Sequence, residues 1–137
     1  MCRSTGASVV LNSHEIRRID SMARKNFTYV AEEEDLWRSF ADKVIQSKKW
    51  QGDCDDLAST TLDLLHRAGA PKNSLTRAIV GTYGSKTPDH MVAFAEDDKG
   101  RQWVVGDTFG PAYPRKDMTH RLIKISPVHT GRSWKDV

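Results

Sequence analysis

The chain has 137 residues, 38% of them hydrophobic and 28% charged, with a formal net charge of +3. That length supports one domain with a real core and not two of ordinary size. No apolar run approaches the ~18 residues of a membrane span, the scattered basic residues argue against a nucleic-acid partner, and two cysteines, Cys2 and Cys54, make no disulfide framework.

Residues 1–12 carry little pattern beyond Val9-Val10-Leu11 and read as a loose N-terminus. They lack the apolar core of a secretory signal, so a reducing, cytoplasmic location is expected. Ser13 reads as the cap of a first helix, with Ile16, Ile19, Met22 and Ala23 on one stripe. Arg17, Arg18, Arg24 and Lys25 fall mostly on the other, solvated face. Asn26 to Val30 is a short β-like stretch, in which Asn26 either ends the helix or offers an amide to a reaction centre. Glu32-Glu33-Glu34-Asp35 complement the dipole of a second helix. Its buried face is Leu36, Trp37, Phe40, Ala41, Val44 and Ile45.

The next stretch is Trp50-Gln51-Gly52-Asp53-Cys54-Asp55-Asp56-Leu57-Ala58. Gly52 breaks what precedes it and Asp53 serves as an N-cap. Leu57, Thr61, Leu64, Leu65 and Ala68 then recur at helical steps until Gly69 and Pro71 end the helix. Cys54 therefore lies in a first turn, where free N–H groups and the helix dipole favour a thiolate. Asp53, Asp55 and Asp56 oppose that anion. Trp50 either walls a cleft or anchors the helix start. A lone cysteine is most often a small apolar core residue, so a catalytic reading needs a base and an acid elsewhere in the chain.

Leu75 to Tyr83 reads as a strand, and the loop through Ser85-Lys86-Thr87-Pro88 leads into His90. His90 to Ala95 and Arg101 to Asp107 form a predicted hairpin about Glu96–Gly100. With its turn centred between Asp98 and Lys99, His90 stands opposite Asp107, Cβ atoms ~4.5–5.5 Å apart. Val92, Phe94, Val105 and Trp103 then continue the face on which the Cys54 helix packs. A slip of one residue would send Asp107 to the other face. The turn-rich segment Gly110-Pro111 to Tyr113-Pro114 follows, then a last strand from His120 to Ile125. Among the other histidines, His66 would lie about 18 Å along the cysteine's own helix. His14 sits on a different helix, and His120 and His129 have no opposed carboxylate on a predicted hairpin. His90 is the candidate base.

Cys54, His90 and Asp107 can act together as nucleophile, proton carrier and orienting carboxylate. The motifs Asn26-Phe27-Thr28-Tyr29-Val30, Trp50 to Ala58, the His90 strand, and Val105-Gly106-Asp107 followed by Phe109 resemble the bacterial transglutaminase-like cysteine peptidases. That family is a branch of the papain-like/transglutaminase superfamily, and the resemblance covers roughly residues 13 to 110. It implies an α+β fold, with N-terminal helices and a central Cys-bearing helix packed on a small antiparallel β-sheet. A single domain would span residues 13–126, followed by a tail at 127–137. The implied activity is thiol acyl transfer: a cysteine peptidase or amidase that hydrolyses a protein or peptide amide through a thioester. Cys54, His90 and Asp107 would be catalytic, with oxyanion or substrate contacts from Gln51, Asn26 and Trp50. The same triad serves transglutaminases and deamidases. A non-catalytic interaction domain that keeps the fold, or a redox-sensing Cys54, are the other classes. The chemistry requires no cofactor, and no metal site is assigned, because a cysteine with hard carboxylates is a mismatched set for zinc. Relatives that cleave bacterial adhesins bind calcium with acids around the nucleophile, which leaves calcium open at Asp53, Asp55 and Asp56.

Overall fold

The computed structural model describes residues 10–31, 38–131 and 133–137. Helix α1 (Ser13–Lys25) is capped by Asn12 and not Ser13: its side-chain oxygen accepts the Glu15 N–H at 2.8 Å. The expected stripe holds, with Ile16, Ile19 and Ala23 buried. Strand β1 (Phe27–Tyr29) pairs in parallel with β2 (Trp50–Gly52). Between them lies the short helix α2 (Ala41–Ile45). The acids at 32–35 and the expected core residues Leu36 and Trp37 lie outside the described residues. Helix α3 (Cys54–Arg67) starts where the Asp53 cap predicts. Asp53 Oδ1 accepts the N–H groups of Asp55 and Asp56, and Asp56 Oδ2 accepts the Asp53 N–H at 3.1 Å, a reciprocal capping box. No helix among the described residues is long and apolar enough to cross a membrane.

Among the described residues six strands form the main sheet: β3 (Leu75–Gly81), β4 (His90–Glu96), β5 (Gln102–Val105), β6 (Tyr113–Pro114), β7 (Arg121–Pro127) and β8 (Lys135–Asp136). Their order is β6-β5-β4-β3-β7-β8, every neighbour antiparallel. The expected mixture of helices and a small antiparallel sheet is therefore present. The ends are drawn in further than expected. Leu11 is buried and its carbonyl accepts the Asp98 N–H at 3.0 Å. Within 127–137, set aside as a tail, Lys135 and Asp136 pair with Ile125 and Lys124 along the β7 edge. A two-residue strand has too little alternation to stand out in a sequence.

The hairpin register differs from expectation by one residue. The pairs are Ala93 with Val105, Phe94 with Val104, Ala95 with Trp103 and Glu96 with Gln102. Extended to the strand's start, this register sets Thr108, not Asp107, opposite His90. The cause is the turn. Gly100 takes φ +77°, and Asp97 Oδ1 accepts the N–H groups of Lys99 and Arg101. A left-handed glycine closing such a loop makes the turn asymmetric. The faces change with the register. Met91, Ala93, Ala95 and Val105 join the core beneath α1 and α3. Val92, Phe94 and Val104 face the other way, with Ala78 and Val80, under Tyr113, Met118, Leu122 and Ile125. Six of the seven residues of β4 are buried, so its alternation could not be read.

Gly106 restores what the register would have lost. It follows β5 with φ +62°, which turns the chain out of the ladder just before Asp107. It also lies flat on α3: a Cβ there would come within 2.8 Å of Ala58 Cα and 3.2 Å of the Leu57 carbonyl oxygen. Gly100 has the same hand of backbone and open space around it. Gly100→Ala should therefore cost about 1 kcal/mol of stability, the left-handed penalty alone. Gly106→Ala adds overpacking against backbone and should cost about 2–5 kcal/mol. Urea denaturation of the two variants measures the difference, and equal losses would refute the close-packing account.

Candidate active site

The site is assembled on the loop from Gly106 to Ala112. Its backbone is held by Asp20, which projects from α1 and is 1% exposed. Asp20 Oδ1 accepts the Gly106 N–H at 2.7 Å and Oδ2 accepts the Ala112 N–H at 2.9 Å. Arg24, one turn along α1, pairs with both oxygens of Asp20 and donates to the Asp107 carbonyl at 3.0 Å. The sequence pattern alone puts Arg24 mostly on a solvated face and gives Asp20 no role. The one available signal is their i, i+4 spacing beside the apolar stripe.

Among the described residues the Asp107 side chain receives four donors. On Oδ1 these are His90 Nε2 at 2.8 Å and the Phe109 N–H at 3.0 Å; on Oδ2 they are His120 Nε2 at 3.1 Å and the Tyr113 hydroxyl at 3.2 Å. Burial works to raise the pKa of this carboxyl. The His90 and Phe109 bonds, and the positive charge His90 and His120 carry when protonated, outweigh burial and hold it at about 2. His90 is 6% exposed, with the Phe109 ring stacked on it at 4.6 Å and 14°. Because His90 turns Nε2 to the acid, Nδ1 is the ring nitrogen left for a reacting group.

Cys54 and His90 line one cleft, together with Tyr29, Asp55, Pro88 and Asp89. Cys54 is half-buried, and its thiol lies 3.6 Å from Asp55 Oδ1. Burial and then the Asp55 charge push the thiol up to about 12. A backbone hydrogen bond from Met91 opposes this, and Asp53 adds to the upward shift. The helix end alone does not make this thiol acidic.

The structure thus joins His90 to Asp107 directly and sets Cys54 and His90 in a common cleft. Three other candidates lie elsewhere. Trp50 is 4% exposed and donates its indole N–H to the Ala23 carbonyl at 3.1 Å, packed between Phe27 and Phe40. It anchors β2 to α1. Gln51 shares a different hollow with Thr28, Arg38 and Lys49. Asn26 caps the end of α1 and donates its amide to the Ser47 carbonyl at 3.2 Å. His120, set aside for want of an acid, does have one. Val80 pairs with both His90 and Leu122, and Gly81 pairs with Arg121, so β3 brings the start of β7 beside the start of β4. That relation crosses a third strand and has no trace in a hairpin pattern.

The acids of the first α3 turn suit a hard cation in kind. Asp56 Oδ1 is buried without a hydrogen-bond partner among the described residues, while Oδ2 takes the Asp53 N–H and a 3.5 Å contact from Arg38. Carboxylate oxygens are the ligands calcium prefers.

No family model matches the chain, and no curated protein matches it. Among solved structures it is similar to LapG of Legionella pneumophila in a calcium-bound form, with a TM-score of 0.66 and 14% identity over 90% of this chain and 68% of that one. A second LapG structure gives the same values, and an EGTA-treated one differs only in covering 66% of its chain. The likeness is one of fold, and supports a transglutaminase-like architecture in general terms.

The depressed Asp107 pKa carries a sign. Ionised Asp107 contributes stability that is fully present above the ordinary carboxylate pKa of ~3.9 and is lost as pH falls through about 2. That contribution is about 2 kcal/mol. Asp107→Asn should be less stable at neutral pH and should lose less than the wild type between about pH 4 and 2. Urea midpoints across that range check it; parallel acid limbs would contradict the assignment.

Proposed function

We propose that the protein is a thiol acyl-transfer enzyme that hydrolyses an amide of a protein or peptide substrate, with Cys54 as nucleophile, His90 as base and Asp107 as its orienting carboxylate. The observation that carries the reading is the direction of His90: Nε2 is engaged by a buried carboxylate while the ring lines the cleft that holds Cys54. The motif resemblance and the fold shared with LapG agree with it.

In this reading the resting thiol is neutral. As Sγ attacks the carbonyl carbon, its proton passes to His90 Nδ1. The Cys54 N–H, which takes no part in the Asp53 cap, can donate to the developing oxyanion. The imidazolium returns the proton to the leaving amine, leaving a thioester. His90 then deprotonates water, which attacks the thioester and releases the acid and the thiol. Asp107 stays ionised throughout and stabilises the charged ring. Calcium, held by Asp53, Asp55 and Asp56, would supply positive charge that offsets theirs beside the thiol.

The test is the pH dependence of Cys54 alkylation by iodoacetamide, with Cys2→Ser as background. In calcium-free protein the midpoint should lie above the ~8.5 of a free cysteine. Asp55→Asn should lower it, since it removes the charge that raises it, and millimolar calcium should both lower it and raise the melting temperature. His90→Ala should slow alkylation at neutral pH about tenfold or more. A rate indifferent to His90 would sink the proposal. Indifference to calcium in both readouts would remove only the cation.

A further inference from the structure

We infer that His120 is a positioning residue for Asp107: a neutral imidazole, protonated at Nε2, that fixes one carboxylate oxygen so that the other stays on His90. Its catalytic meaning rests on the function proposed above; its hydrogen-bonding role does not.

The inference follows from donors and acceptors. The Tyr83 N–H donates to His120 Nδ1 at 3.2 Å. A backbone N–H can only donate, so Nδ1 bears a lone pair. A neutral ring then carries its proton on Nε2, which lies 3.1 Å from Asp107 Oδ2. His120 thus stands between two partners that agree on one tautomer. The ring is 7% exposed and packed against Tyr83, Phe109 and His90, which limits its rotation.

The Tyr83 N–H is aimed with some strain. Tyr83 has φ +50°, a left-handed conformation that is strained for a non-glycine residue. The tight turn around it is braced from both sides. The Thr82 N–H and hydroxyl both donate to Asp89 Oδ1, at 2.8 and 2.9 Å, and the Ser85 N–H donates to the Thr82 carbonyl at 3.1 Å. At Gly81 a Cβ would fall 1.7 Å from the Ser85 carbonyl oxygen. The same turn ends at Asp89 and His90, so one loop both rims the cleft and sets the tautomer behind it.

The competing use of these residues is a metal site. Nitrogen and oxygen atoms of His90, Asp107 and His120 lie within 4.8 Å of one another, and two histidines with a carboxylate suit zinc. The hydrogen bonds favour the proton. An imidazole that binds a metal through Nε2 keeps its proton on Nδ1 and donates it. Here Nδ1 faces a donor. Both Asp107 oxygens are also already filled, by four donors.

Without His120, Oδ2 keeps, among the described residues, only the Tyr113 hydroxyl at 3.2 Å. The carboxylate is then held by three donors in place of four, and the direction in which Oδ1 meets His90 is less firmly set. The experiment uses full-length protein and two substitutions. His120→Gln places an amide donor near the position of Nε2; His120→Phe fills the space without a donor. Long-range proton–nitrogen NMR of the wild-type imidazoles should show His120 as the neutral Nε2–H tautomer, unchanged by added zinc chloride. His120→Phe should shift the His90 Nε2–H resonance and slow His90-dependent alkylation of Cys54 about tenfold or more. His120→Gln should restore both to near wild type, at similar melting temperatures. An Nδ1–H tautomer, stoichiometric zinc binding at the rings, or a His120→Phe variant that leaves the His90 resonance in place would each overturn the inference. If alkylation of the wild type ignores His90, the catalytic proposal falls, and the NMR arm still decides the role of His120.

Discussion

At Gly106 the chain leaving β5 lies directly against the backbone of α3, and the site depends on that contact. Its missing Cβ lets the chain lie against Ala58 and Leu57 of α3, while its left-handed backbone takes the chain out of the β5 ladder. The two requirements fall on one residue and have one consequence. Asp107 leaves the strand pleat, so its direction is set by the turn and no longer by parity. The helix that carries Cys54 and the loop that carries Asp107 are thereby fixed to each other, and β4 delivers His90 beside them.

Two buried aspartates then divide the work. Asp20 binds backbone: it accepts two N–H groups at the ends of the Gly106–Ala112 loop and is neutralised by Arg24. Asp107 binds three side chains, from β4, β6 and the residue before β7, and one backbone N–H of its own loop. Burying a carboxylate is costly unless its oxygens are satisfied, and those of Asp20 and Asp107 are. The consequence for function is rigidity. A partly satisfied Asp107 would still attract His90, and would hold it less well in direction.

Much of this was legible, and some for an incomplete reason. Asp53 reads as an N-cap because its chemistry is local, and the capping box is there. The contact between His90 and Asp107 was expected from a symmetric turn. The real turn is asymmetric by one residue, and Gly106 compensates. Neither is visible in hydrophobic alternation, because both faces of β4 are covered. Trp50 sits close to Cys54 in sequence, yet its indole N–H points to α1, since a buried indole needs an acceptor and Ala23 offers one. His120 and Asp20 were missed for a shared reason. Each acts across elements that are distant in the chain, and pair spacing within a hairpin or helix does not register such contacts.

The electrostatics of Cys54 follow from magnitudes. A helix N-terminus favours an anion by about 0.3–1 kcal/mol, and up to ~2 when partly buried. Two charges about 4 Å apart interact by roughly 4 kcal/mol at an effective dielectric of ~20. Asp55 Oδ1 is 3.6 Å from the sulfur. The acid therefore outweighs the dipole even before burial is counted, and the thiol stays protonated. Asp55 is also a first-turn residue, where a carboxylate helps the helix form. The feature that stabilises the start of α3 thus holds the Cys54 thiol protonated. Whatever brings positive charge to that turn, whether a cationic group or a hard cation on the carboxylates, would weaken the repulsion.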